Sequence, residues 1–484
     1  MKPEKLLEKV EILECAADLT CDVSGISYDT RNISHGDVFV AIKGFAGDGH
    51  AFIPDAAAKG AALIVCTEAP EICVPYVVVK DSRKALAAIS AAWFDYPFNK
   101  LKMIGVTGTN GKTTVTNLIK NVLEICTGEK VGLIGTNGNM IGNTEIEAAL
   151  TTPESYELQK LFSQMVEQNC AFCVMEVSSH ALALQRVHGI TFDVGVFTNL
   201  TRDHLDFHGT MQAYAEAKAE LFKISKSAAV NTDDEYSQIM KNAAVCPILS
   251  YAVNDPGADL IAKELKLSAD KAEFLALAVG RLIRVELYIP GLFSVYNALS
   301  VLAAVSLLGI DIKKAARALK SCTGVKGRAE VVPTGGNFSI IIDYAHTPDA
   351  LENILKAARS FTTGRVVALF GCGGDRDKTK RPIMAKVAAS FSDFVIVTSD
   401  NPRTEEPSAI INDILEGMAN AKTPYITIEN RREAIKRAIS NAQPGDVIVL
   451  AGKGHETYQI IGKEKFHFDE REVVAEILRE REYK

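Results

Sequence analysis

The fold is decided by the stretch Met103-Ile104-Gly105-Val106-Thr107-Gly108-Thr109-Asn110-Gly111-Lys112-Thr113-Thr114. Its apolar start predicts a buried strand, its second half a glycine-rich turn, and residues 115–124 predict a helix. Glycines let backbone N–H groups crowd around phosphate oxygens at the start of a helix. In such a turn Lys112 reaches the outer phosphates and the Thr113 hydroxyl can bind Mg²⁺. The stretch therefore predicts a nucleotide-binding loop.

The loop departs from the usual spacing at one position. The standard pattern has an earlier glycine, and Val106 stands in its place here. The alternative is a glycine-rich turn whose Lys112 faces the solvent. Because strand, turn, Gly-Lys-Thr and helix occur in the required order, we interpret the loop as a nucleotide site.

Strand and helix signals alternate on both sides of this loop. Three blocks emerge, at residues 1–98, 99–325 and 326–484. Further strands are predicted at residues 38–42, 76–79, 173–177, 194–198, 340–343, 366–370, 394–398 and 447–451. Strands separated by helices form mostly parallel sheets. The sequence therefore predicts an α/β protein of three domains, with the nucleotide loop in the central one.

Composition limits the partners of the chain. It has 484 residues, with 53 lysines and arginines against 60 aspartates and glutamates, so its net charge is −7. This length suits about three domains. A general nucleic-acid binder needs a basic face to replace counterions, so we expect no nucleic-acid partner.

The chain also lacks the patterns of export or of a membrane protein. Lys2, Glu4 and Lys5 stand where a signal peptide would need an apolar core. The longest uncharged stretch, residues 287–310, contains proline, glycine and serine residues and predicts a buried helix rather than a membrane span. Cys170 and Cys173 have CxxC spacing inside a strand-like run, which favours a buried structural pair over a redox or metal site. We expect a reduced, cytoplasmic protein without a membrane partner.

Polar side chains of the central block follow predicted strands. Glu176 comes at the end of an apolar run, and His204 lies just after the strand predicted at residues 194–198. Ligands collect at the carboxyl ends of strands in open α/β sheets. By composition alone His204 reads as a structural loop residue. Lys218, in the helix predicted at residues 211–222, reads by itself as a solvated lysine.

Three polar clusters follow predicted strands of the last block. They are Gly371-Cys372-Gly373-Gly374-Asp375-Arg376-Asp377, Asp400-Asn401-Pro402-Arg403 and Gly452-Lys453-Gly454-His455-Glu456. Together they supply arginine, lysine and carboxylate groups, which suits a small zwitterion with ammonium and carboxylate groups. The alternative is three ordinary polar loops, but their equivalent positions at strand ends favour a binding site.

These motifs together resemble the Mur ligase family of ATP-dependent peptidoglycan-precursor ligases. The resemblance covers nearly the whole chain. Besides the motifs above, it is carried by Ser27-Tyr28-Asp29-Thr30-Arg31, Leu150-Thr151-Thr152-Pro153, Glu176-Val177-Ser178-Ser179-His180, Asp203-His204-Leu205-Asp206 and Asp343-Tyr344-Ala345-His346-Thr347-Pro348.

The resemblance implies a fold and a reaction. The fold has an N-terminal domain for the UDP end of one substrate, a central ATPase domain and a C-terminal Rossmann-like domain for an amino acid. ATP would phosphorylate the carboxylate of UDP-N-acetylmuramoyl-L-alanyl-D-glutamate. The amine of meso-2,6-diaminopimelate would attack the acyl phosphate, giving an amide, ADP and phosphate. We expect a cytoplasmic monomer that uses ATP and two Mg²⁺ ions.

The resemblance also implies roles for individual residues. The expected catalytic residues are Lys112, Glu176, His204 and Lys218. The expected ligands of Mg²⁺ are Thr113, Glu176, His204 and Lys218, the last as a carbamate, since an ammonium cannot bind a cation. ATP contacts are expected from Gly108, Thr109, Asn110, Gly111, Lys112, Thr113, Thr114, Asn297 and Arg328. Contacts to the UDP-muramoyl peptide are expected from Thr30, Thr151, Thr152, Ser178 and Arg186.

The expected amino-acid pocket decides which amino acid is added. It consists of Arg376, Asp400, Asn401, Pro402, Arg403, Gly452 and Glu456. In the family the Asp-Asn-Pro-Arg tetrad points to diaminopimelate, whose extra carboxylate Arg403 would bind through two hydrogen bonds. Lysine would leave that guanidinium unpaired. His455 and Lys453 are candidates for deprotonating the attacking amine.

Three alternatives stay open at this point. Two are a lysine-adding ligase and a folylpolyglutamate synthetase, which the tetrad and the motif at residues 28–31 weigh against. The third is a nucleotide-gated binding switch that hydrolyses ATP only to change shape. ATP turnover without either substrate would favour the switch.

Overall fold

The structure, a computed structural model, describes residues 1–482 except residues 45, 46, 149, 269, 279 and 323. Within these residues three main sheets follow one another along the chain. The first unit contains α1 (Pro3–Leu6), β1 (Ile12–Ala16), β2 (Ile26–Ser27), β3 (Val38–Val40), α2 (Ile53–Ala58), β4 (Leu63–Cys66), β5 (Tyr76–Val79) and α3 (Ser82–Trp93). Its sheet has the order β1-β5-β4-β3-β2, and β1 alone runs antiparallel to its described neighbour.

The central unit is the largest. It contains β6 (Lys102–Thr107), α4 (Lys112–Thr127), β7 (Lys130–Ile134), β8 (Asn139–Ile141), β9 (Thr144–Ile146), α5 (Ser155–Glu167), β10 (Cys170–Glu176), α6 (Ser179–Ala183), β11 (Val194–Phe197), α7 (Leu205–His208), α8 (Met211–Lys223), β12 (Ala228–Asn231), α9 (Ser237–Ala243), β13 (Ile248–Ala252), β14 (Leu260–Leu267), β15 (Ala272–Ala278), β16 (Arg281–Leu287), α10 (Leu292–Leu307) and α11 (Ile312–Lys320). Its sheet has the order β16-β15-β14-β13-β12-β11-β6-β10-β7-β8-β9.

The middle of this sheet is parallel and its two ends are antiparallel. Strands β7, β10, β6, β11, β12, β13 and β14 pair in parallel. The hairpins β14-β15-β16 and β7-β8-β9 extend it on either side. The carboxyl ends of β6, β10 and β11 therefore lie side by side at one edge, where ligands bind in such sheets.

Helix α4 fixes the phosphate loop to this sheet. It begins after Gly111, whose φ of 85° is left-handed, and ends at Gly128 with a φ of 75°. Val115, Leu118 and Val122 are fully buried, and this helical spacing forms one apolar face. The helix packs against α10, α11 and strands of the sheet, so the first turn, which carries Lys112, has little freedom to move.

The last unit repeats the parallel pattern. It contains β17 (Glu330–Val332), β18 (Ser339–Asp343), α12 (Pro348–Phe361), β19 (Val366–Phe370), α13 (Lys380–Phe391), β20 (Phe394–Val397), α14 (Pro407–Leu415), β21 (Tyr425–Thr427), α15 (Arg431–Ser440), β22 (Val447–Ala451), β23 (Tyr458–Ile461), β24 (Glu464–His467) and α16 (Glu470–Glu482). The order of its main sheet is β17-β18-β22-β19-β20-β21, parallel except at β17. Strands β23 and β24 form a separate hairpin.

The predicted α/β class is confirmed. The strands predicted at residues 76–79, 366–370 and 447–451 have those bounds in the structure. The predicted helix at residues 115–124 was too short, because the loop residues from Lys112 already form its first turn. The division of the chain at residues 98 and 325 remains a prediction.

The apolar stretch at residues 287–310 is a core element, as predicted. It forms helix α10, which packs against α4 and strands of the central sheet with most of its side chains buried. Across the described residues, we find no helix with the length and apolarity that crossing a bilayer requires. Cys170 and Cys173 are both free thiols buried in β10, in agreement with a structural pair.

Candidate active site

The phosphate loop requires its glycines. Gly108 follows β6 with a φ of 147°, and a Cβ there would collide with the Thr198 hydroxyl. A Cβ on Gly111 would come within 2.7 Å of Asn297 Oδ1. Asn297, predicted to contact ATP, is buried on α10 directly against the loop. These close approaches explain why the turn lacks side chains at both positions.

Lys112 closes over its own loop. Its Nζ donates to the carbonyls of Gly108 at 2.9 Å and Thr109 at 2.8 Å. Removal from water lowers the pKa of Lys112, an effect that the Glu176 carboxylate opposes. The ammonium group therefore lies at the loop where outer phosphate oxygens would be received.

A carboxylate and a hydroxyl meet beside the loop. Glu176, only 1% exposed at the end of β10, accepts from Thr113 Oγ1 at 2.9 Å. It also accepts from the backbone N–H of Thr136 at 2.9 Å. These oxygens are hard donors, and Mg²⁺ in proteins takes one or two carboxylates with substrate phosphates as further ligands. Thr113 and Glu176 thus fit an Mg²⁺ ion bound with a nucleotide.

Lys218 is buried, not solvated as its composition alone indicated. Only 1% of it is exposed, and its Nζ donates to the Gly108 carbonyl at 2.8 Å. The same Nζ lies 4.6 Å from the centre of the Tyr214 ring. Burial lowers the pKa of Lys218 well below its usual value, and the nearby Lys112 charge adds to this. Helix α8 thus delivers an amine, readily deprotonated, to the phosphate loop.

His204 faces the same region from the loop after β11. It adopts a left-handed φ of 53° at the start of α7, which the local turn imposes. Its ring centre lies 6.1 Å from that of Tyr214 and 4.8 Å from that of His180. Its Nε2 is 3.4 Å from Asp203 Oδ2. The structure therefore places His204 and Lys218 around one tyrosine.

Four of the five residues expected at the UDP-muramoyl peptide form one cluster. Thr152 Oγ1 contacts Ser178 Oγ at 3.2 Å, and Arg186 Nη1 donates to the Thr152 carbonyl at 3.0 Å. Thr151 Oγ1 lies 3.0 Å from Thr136 Oγ1, which also contacts Glu176. This cluster adjoins the Glu176 carboxylate, so a substrate bound here would present its end to the phosphate loop.

Thr30 belongs to the first unit rather than to this cluster. Its carbonyl accepts from Lys59 Nζ at 2.8 Å. Two residues earlier, Tyr28 hydrogen-bonds to Glu157 on α5, and burial raises its pKa. Helix α5 begins at Ser155, whose hydroxyl donates to the Arg186 carbonyl at 3.1 Å. The loop of Thr30 is thus joined through α5 to the four-residue cluster.

The central and last units meet at Arg328 and Asp349. Arg328 Nη2 lies 3.3 Å from Thr113 Oγ1, and its guanidinium covers the Tyr344 ring at 4.7 Å. Asp349, on α12, accepts from Asn110 Nδ2 at 2.7 Å and from Thr201 Oγ1 at 3.1 Å. Burial raises the pKa of Asp349. The last unit therefore touches the phosphate loop directly through one carboxylate.

A cleft of about 850 Å³ lies at the phosphate loop, and Thr30, Thr152 and Arg186 are not among its lining residues in the described chain. The predicted residues on its wall are Thr109, Asn110, Gly111, Lys112, Thr113, Thr114, Thr151, Glu176, Ser178, His204, Lys218, Asn297 and Arg328. Within the described residues, its wall includes no member of the predicted amino-acid pocket. Tyr344, which does line it, packs 4.8 Å from the ring of His455 in the third polar cluster.

Residues predicted for the amino-acid pocket come together at the edge of the last sheet. Asn401 donates to Glu456 Oε2 at 2.9 Å, and Lys453 Nζ contacts both, Glu456 at 3.1 Å and Asn401 at 3.2 Å. Asp400 is buried against Gly452, where a Cβ would come within 2.5 Å of its carboxylate. The second and third polar clusters, which follow β20 and β22, are therefore in contact.

The two arginines of this pocket lie on facing loops. Arg403 follows Pro402 with a left-handed φ of 53°, and its Nη1 donates to the Gly374 carbonyl at 2.8 Å. Arg376 is exposed, and its Nη1 donates to the Asp375 carbonyl at 3.0 Å. Both guanidinium groups retain donors that a ligand carboxylate can use.

The two candidate bases differ. Hydrogen bonds fix the position of Lys453, whereas the His455 ring is neutral. Lys453 is fully buried between Asn401 and Glu456, which fixes its ammonium group. Burial lowers the pKa of His455 to about 4. Its Nδ1 is buried without a hydrogen-bond partner among the described residues. His455 can therefore accept a proton at neutral pH, but only weakly.

Sequence reasoning missed several residues of the site. Thr136 lies in a loop after β7 and has no motif of its own, and Tyr214 lies within the helix predicted at residues 211–222 without a motif that marks it. Asp349 follows directly after the quoted motif at residues 343–348, and that proximity was an available signal. Lys453 was read as a candidate base, whereas the structure gives it a structural place as well.

The fold and this cleft define an α/β nucleotide-binding protein built on a parallel sheet with a phosphate loop. The chain matches three family descriptions in order: the Mur ligase family catalytic domain over residues 22–94, the Mur ligase middle domain over residues 106–305, and the Mur ligase glutamate ligase domain over residues 327–454. The chain belongs to the Mur ligase family.

Two relatives cover almost the whole chain. One is UDP-N-acetylmuramoyl-L-alanyl-D-glutamate–2,6-diaminopimelate ligase 1 of Clostridium acetobutylicum, 49% identical over 99% of this chain and 100% of the relative. The enzyme of the same name from Caldanaerobacter subterraneus is 49% identical over 95% of this chain and 96% of its own.

Solved structures agree with the fold. A structure of UDP-N-acetylmuramoyl-L-alanyl-D-glutamate–2,6-diaminopimelate ligase is 32% identical, with a TM-score of 0.73 and 100% of both chains covered. The folylpolyglutamate synthase of Mycobacterium tuberculosis, complexed with ADP and AMPPCP, has a TM-score of 0.64 over 76% of this chain and 92% of its own. At 16% identity the latter likeness concerns the fold alone.

Proposed function

We propose that this chain is an ATP-dependent ligase that joins meso-2,6-diaminopimelate to UDP-N-acetylmuramoyl-L-alanyl-D-glutamate, releasing ADP and phosphate. The observation that carries the proposal is the arrangement around Glu176. The phosphate loop and the cluster proposed for the UDP-muramoyl peptide adjoin this one carboxylate from two sides. The two relatives described above bear the name of this activity.

The first step brings two anions together. The γ-phosphate of ATP must approach the carboxylate of the UDP-linked peptide, so cations must offset their repulsion. Lys112 lies over the loop to receive phosphate oxygens, and Arg328 reaches the same place from the last unit. Thr113 and Glu176 would hold an Mg²⁺ ion, which supplies Lewis-acid charge neutralisation at the phosphates. Transfer of the phosphoryl group gives the acyl phosphate and ADP.

The second step forms the amide bond. The amine of diaminopimelate attacks the acyl phosphate through a tetrahedral intermediate and releases phosphate. Asp400 and Glu456 would accept hydrogen bonds from ammonium groups of the amino acid, whereas Arg376 and Arg403 would bind carboxylates. Tyr344 and His455 lie between this pocket and the cleft. The pocket would therefore deliver the amine along the edge of the last sheet.

A second Mg²⁺ ion would lie near His204 and Lys218. An ammonium cannot bind the ion, but a carbamate on Lys218 presents two hard oxygens. The lowered pKa of this buried amine supports the modification, because only the neutral amine reacts with carbon dioxide. Intact mass of the purified protein tests it directly. Recovery of activity on adding bicarbonate to wild-type enzyme from which carbon dioxide has been removed provides a second test.

The three units would divide the substrates between them. Residues 1–98 would bind the UDP end with Thr30, residues 99–325 would bind ATP and the peptide end, and residues 326–484 would bind the amino acid. The tight contact of Thr152, Ser178 and Arg186 next to Glu176 supports a peptide site there. The ten cysteines are free thiols, as in proteins of a reducing compartment, and we expect a cytoplasmic monomer.

A purified-enzyme assay tests the function. Phosphate release is measured with ATP, the UDP-dipeptide substrate, and diaminopimelate or L-lysine in turn. Release that needs both the UDP-dipeptide and diaminopimelate supports the proposal. Equal use of lysine would reassign the enzyme to the lysine-adding class, and ATP turnover without either substrate would indicate a nucleotide switch instead.

A further inference from the structure

Arg381 is a fully buried arginine on α13 that no part of the proposed reaction uses. None of its side chain is exposed. Its Nη1 lies 2.7 Å from Asp413 Oδ2 and 3.0 Å from Glu405 Oε2. Its Nη2 lies 2.8 Å from Glu405 Oε1 and 3.3 Å from the Gly373 carbonyl. Arginine's planar fork therefore joins three separate segments of the last unit.

Two of these segments are the loops of the amino-acid pocket. Gly373 belongs to the loop after β19, which carries Arg376, and Glu405 follows the tetrad that ends at Arg403. Glu405 Oε1 also accepts from the backbone N–H of Asp375 at 2.6 Å. The carboxylate of Glu405 thus connects the two loops, and hydrogen bonds from Arg381 fix its position.

The contacts of Arg381 and Glu405 with the two loops form a junction. The position of Arg403, the proposed carboxylate ligand, depends on this junction. Arg403 Nη1 donates to the Gly374 carbonyl at 2.8 Å, one residue from the carbonyl that Arg381 binds. Thr404 Oγ1 donates to Asp375 Oδ1 at 2.8 Å across the same gap. A shift of either loop would therefore move the Arg403 guanidinium relative to Arg376.

Few cations offset the carboxylate charges of Glu405 and Asp413 at the junction. Lys378 Nζ lies 3.1 Å from Glu405 Oε2 but is mostly exposed, so Arg381 is the buried cation among these contacts. The Arg381 hydrogen bonds lower the pKa of Glu405 to about 2. Without Arg381, Asp413 would lose its ion pair and Glu405 would keep only the mostly exposed Lys378. The Gly373 carbonyl would also lose its hydrogen bond from the guanidinium that binds Glu405, so the two loops would be held less firmly.

We propose that Arg381 is a positioning residue that sets the distance between the Arg376 and Arg403 loops and thereby selects an amino acid with a second carboxylate. This inference rests on the proposed function, since it names what fixes the specificity of the same pocket. Arg381 acts through Glu405 and Gly373 and does not touch the substrate. A misplacement of about 1 Å in such a site costs on the order of 10²-fold in rate.

The test compares three variants of the full-length enzyme. Arg381→Met removes the fork, and Arg381→Lys keeps the charge without the fork. The control is Arg365→Met, which breaks the ion pair of Arg365 with Asp446 at 2.6 Å. Arg365 precedes β19, so this ion pair lies at the opposite edge of the same sheet from the pocket. Kinetic constants are measured for diaminopimelate, L-lysine, ATP and the UDP-dipeptide, together with melting temperatures.

For Arg381→Met we expect kcat/KM for diaminopimelate to fall on the order of 10²-fold, mainly through KM. The preference for diaminopimelate over lysine falls in parallel, because Arg403 no longer meets the second carboxylate. Arg381→Lys recovers part of both. KM for ATP and for the UDP-dipeptide stays within about twofold, since the hydrogen-bond partners of Arg381 in the described chain include no residue proposed for those sites. Arg365→Met lowers the melting temperature but leaves the preference unchanged.

Two results would overturn the inference. One is an Arg381→Met enzyme with the wild-type KM for diaminopimelate and the wild-type preference. The other is a loss that affects all substrates equally and that Arg365→Met reproduces, which would reduce Arg381 to a stabilising residue. Failure of the proposed function gives a different result, because wild-type enzyme would then not use diaminopimelate at all.

Discussion

The phosphate-loop end of the cleft and the amino-acid pocket differ in which of their charged groups are buried. At the phosphate loop, two of the four groups proposed as catalytic are enclosed. Glu176 and Lys218 are each 1% exposed, and the lysine bonds a carbonyl of the loop. In the amino-acid pocket the proposed carboxylate ligands Arg376 and Arg403 are exposed or half-buried. The fully buried cations there, Lys453 and Arg381, are not the proposed carboxylate ligands.

This difference follows from the ligands that the phosphate loop and the amino-acid pocket must each bind. A phosphate site must bind several negative charges in the same place for every turnover, and enclosed cations in a site of low polarity interact most strongly. An amino-acid pocket must separate similar molecules, which depends on the placement of a few donors. We therefore expect variants at the phosphate end to lower activity with every substrate, and variants at the pocket to act on one substrate.

The largest effect is expected from Lys112→Met. Loss of the ammonium removes charge that stabilises the transferring phosphoryl group, so kcat/KM falls on the order of 10³-fold for all substrates. The melting temperature changes little, because the Gly108 carbonyl keeps its bond from Lys218. Steady-state phosphate release and thermal melting measure the two effects. Lys120→Met, on the same helix but paired with Glu124, is the matched control. Phosphate release at the wild-type rate would remove Lys112 from the mechanism.

Arg403→Ala tests the opposite end. Removing the guanidinium leaves the second carboxylate of diaminopimelate unpaired, and kcat/KM for this substrate falls on the order of 10²- to 10³-fold. KM for ATP is unaffected. Substrate titrations at saturating ATP measure the change, with the exposed Arg432→Ala as control. An unchanged KM and kcat for diaminopimelate would contradict the assignment of the pocket.

Asp349→Ala probes the connection between the two ends. Asp349 accepts hydrogen bonds from Asn110 and Thr201, so it joins α12 to the phosphate loop. Hydrogen bonds to a charged group contribute about 1.5–3 kcal/mol, and we expect KM for ATP to rise about tenfold. KM for diaminopimelate stays constant. Glu352→Gln, one turn later on the same helix, is the control. Equal KM values for ATP in both variants would mean that this contact does not support nucleotide binding.

The smallest effect concerns acid stability. The folded protein lowers the pKa of Glu405 from 4.5 to about 2, so its ionised form stabilises the fold above pH 4.5. That contribution is lost as the pH falls from 4.5 towards 2. In Glu405→Gln the contribution is absent at every pH. The difference in urea midpoint between wild type and variant is therefore expected to shrink over this window. A difference that stays constant from pH 6 to about pH 3 would disagree with the ion pair.

The sequence predicted those parts of the site that depend on local order along the chain. Each of these parts lies at or shortly after the end of an apolar strand: the phosphate loop, Glu176 and the tetrad at residues 400–403. The position of such residues at a sheet edge follows from the rule for parallel strands. The three-sheet α/β fold was predictable for the same reason, because alternating strands and helices leave few arrangements.

The sequence did not predict contacts between residues far apart in the chain. Lys218 looked solvated because its helix carries charged residues on both sides of it, yet α8 buries it against Gly108. Arg381 and Glu405 lie 24 positions apart on different segments, so no spacing rule relates them. Asp349 meets Asn110 across two units, at a separation of 239 residues.

By itself the sequence determined several central strands, the phosphate loop and the chemical types of side chain at the ends of those strands. These depend on short-range periodicity, on glycine's freedom in a tight turn and on the polarity of neighbouring residues. Only the tertiary structure decided which charges are buried and which loops are held together. Burial and pairing arise when distant segments pack, and in that packing Lys218 loses its water and Arg381 gains three partners.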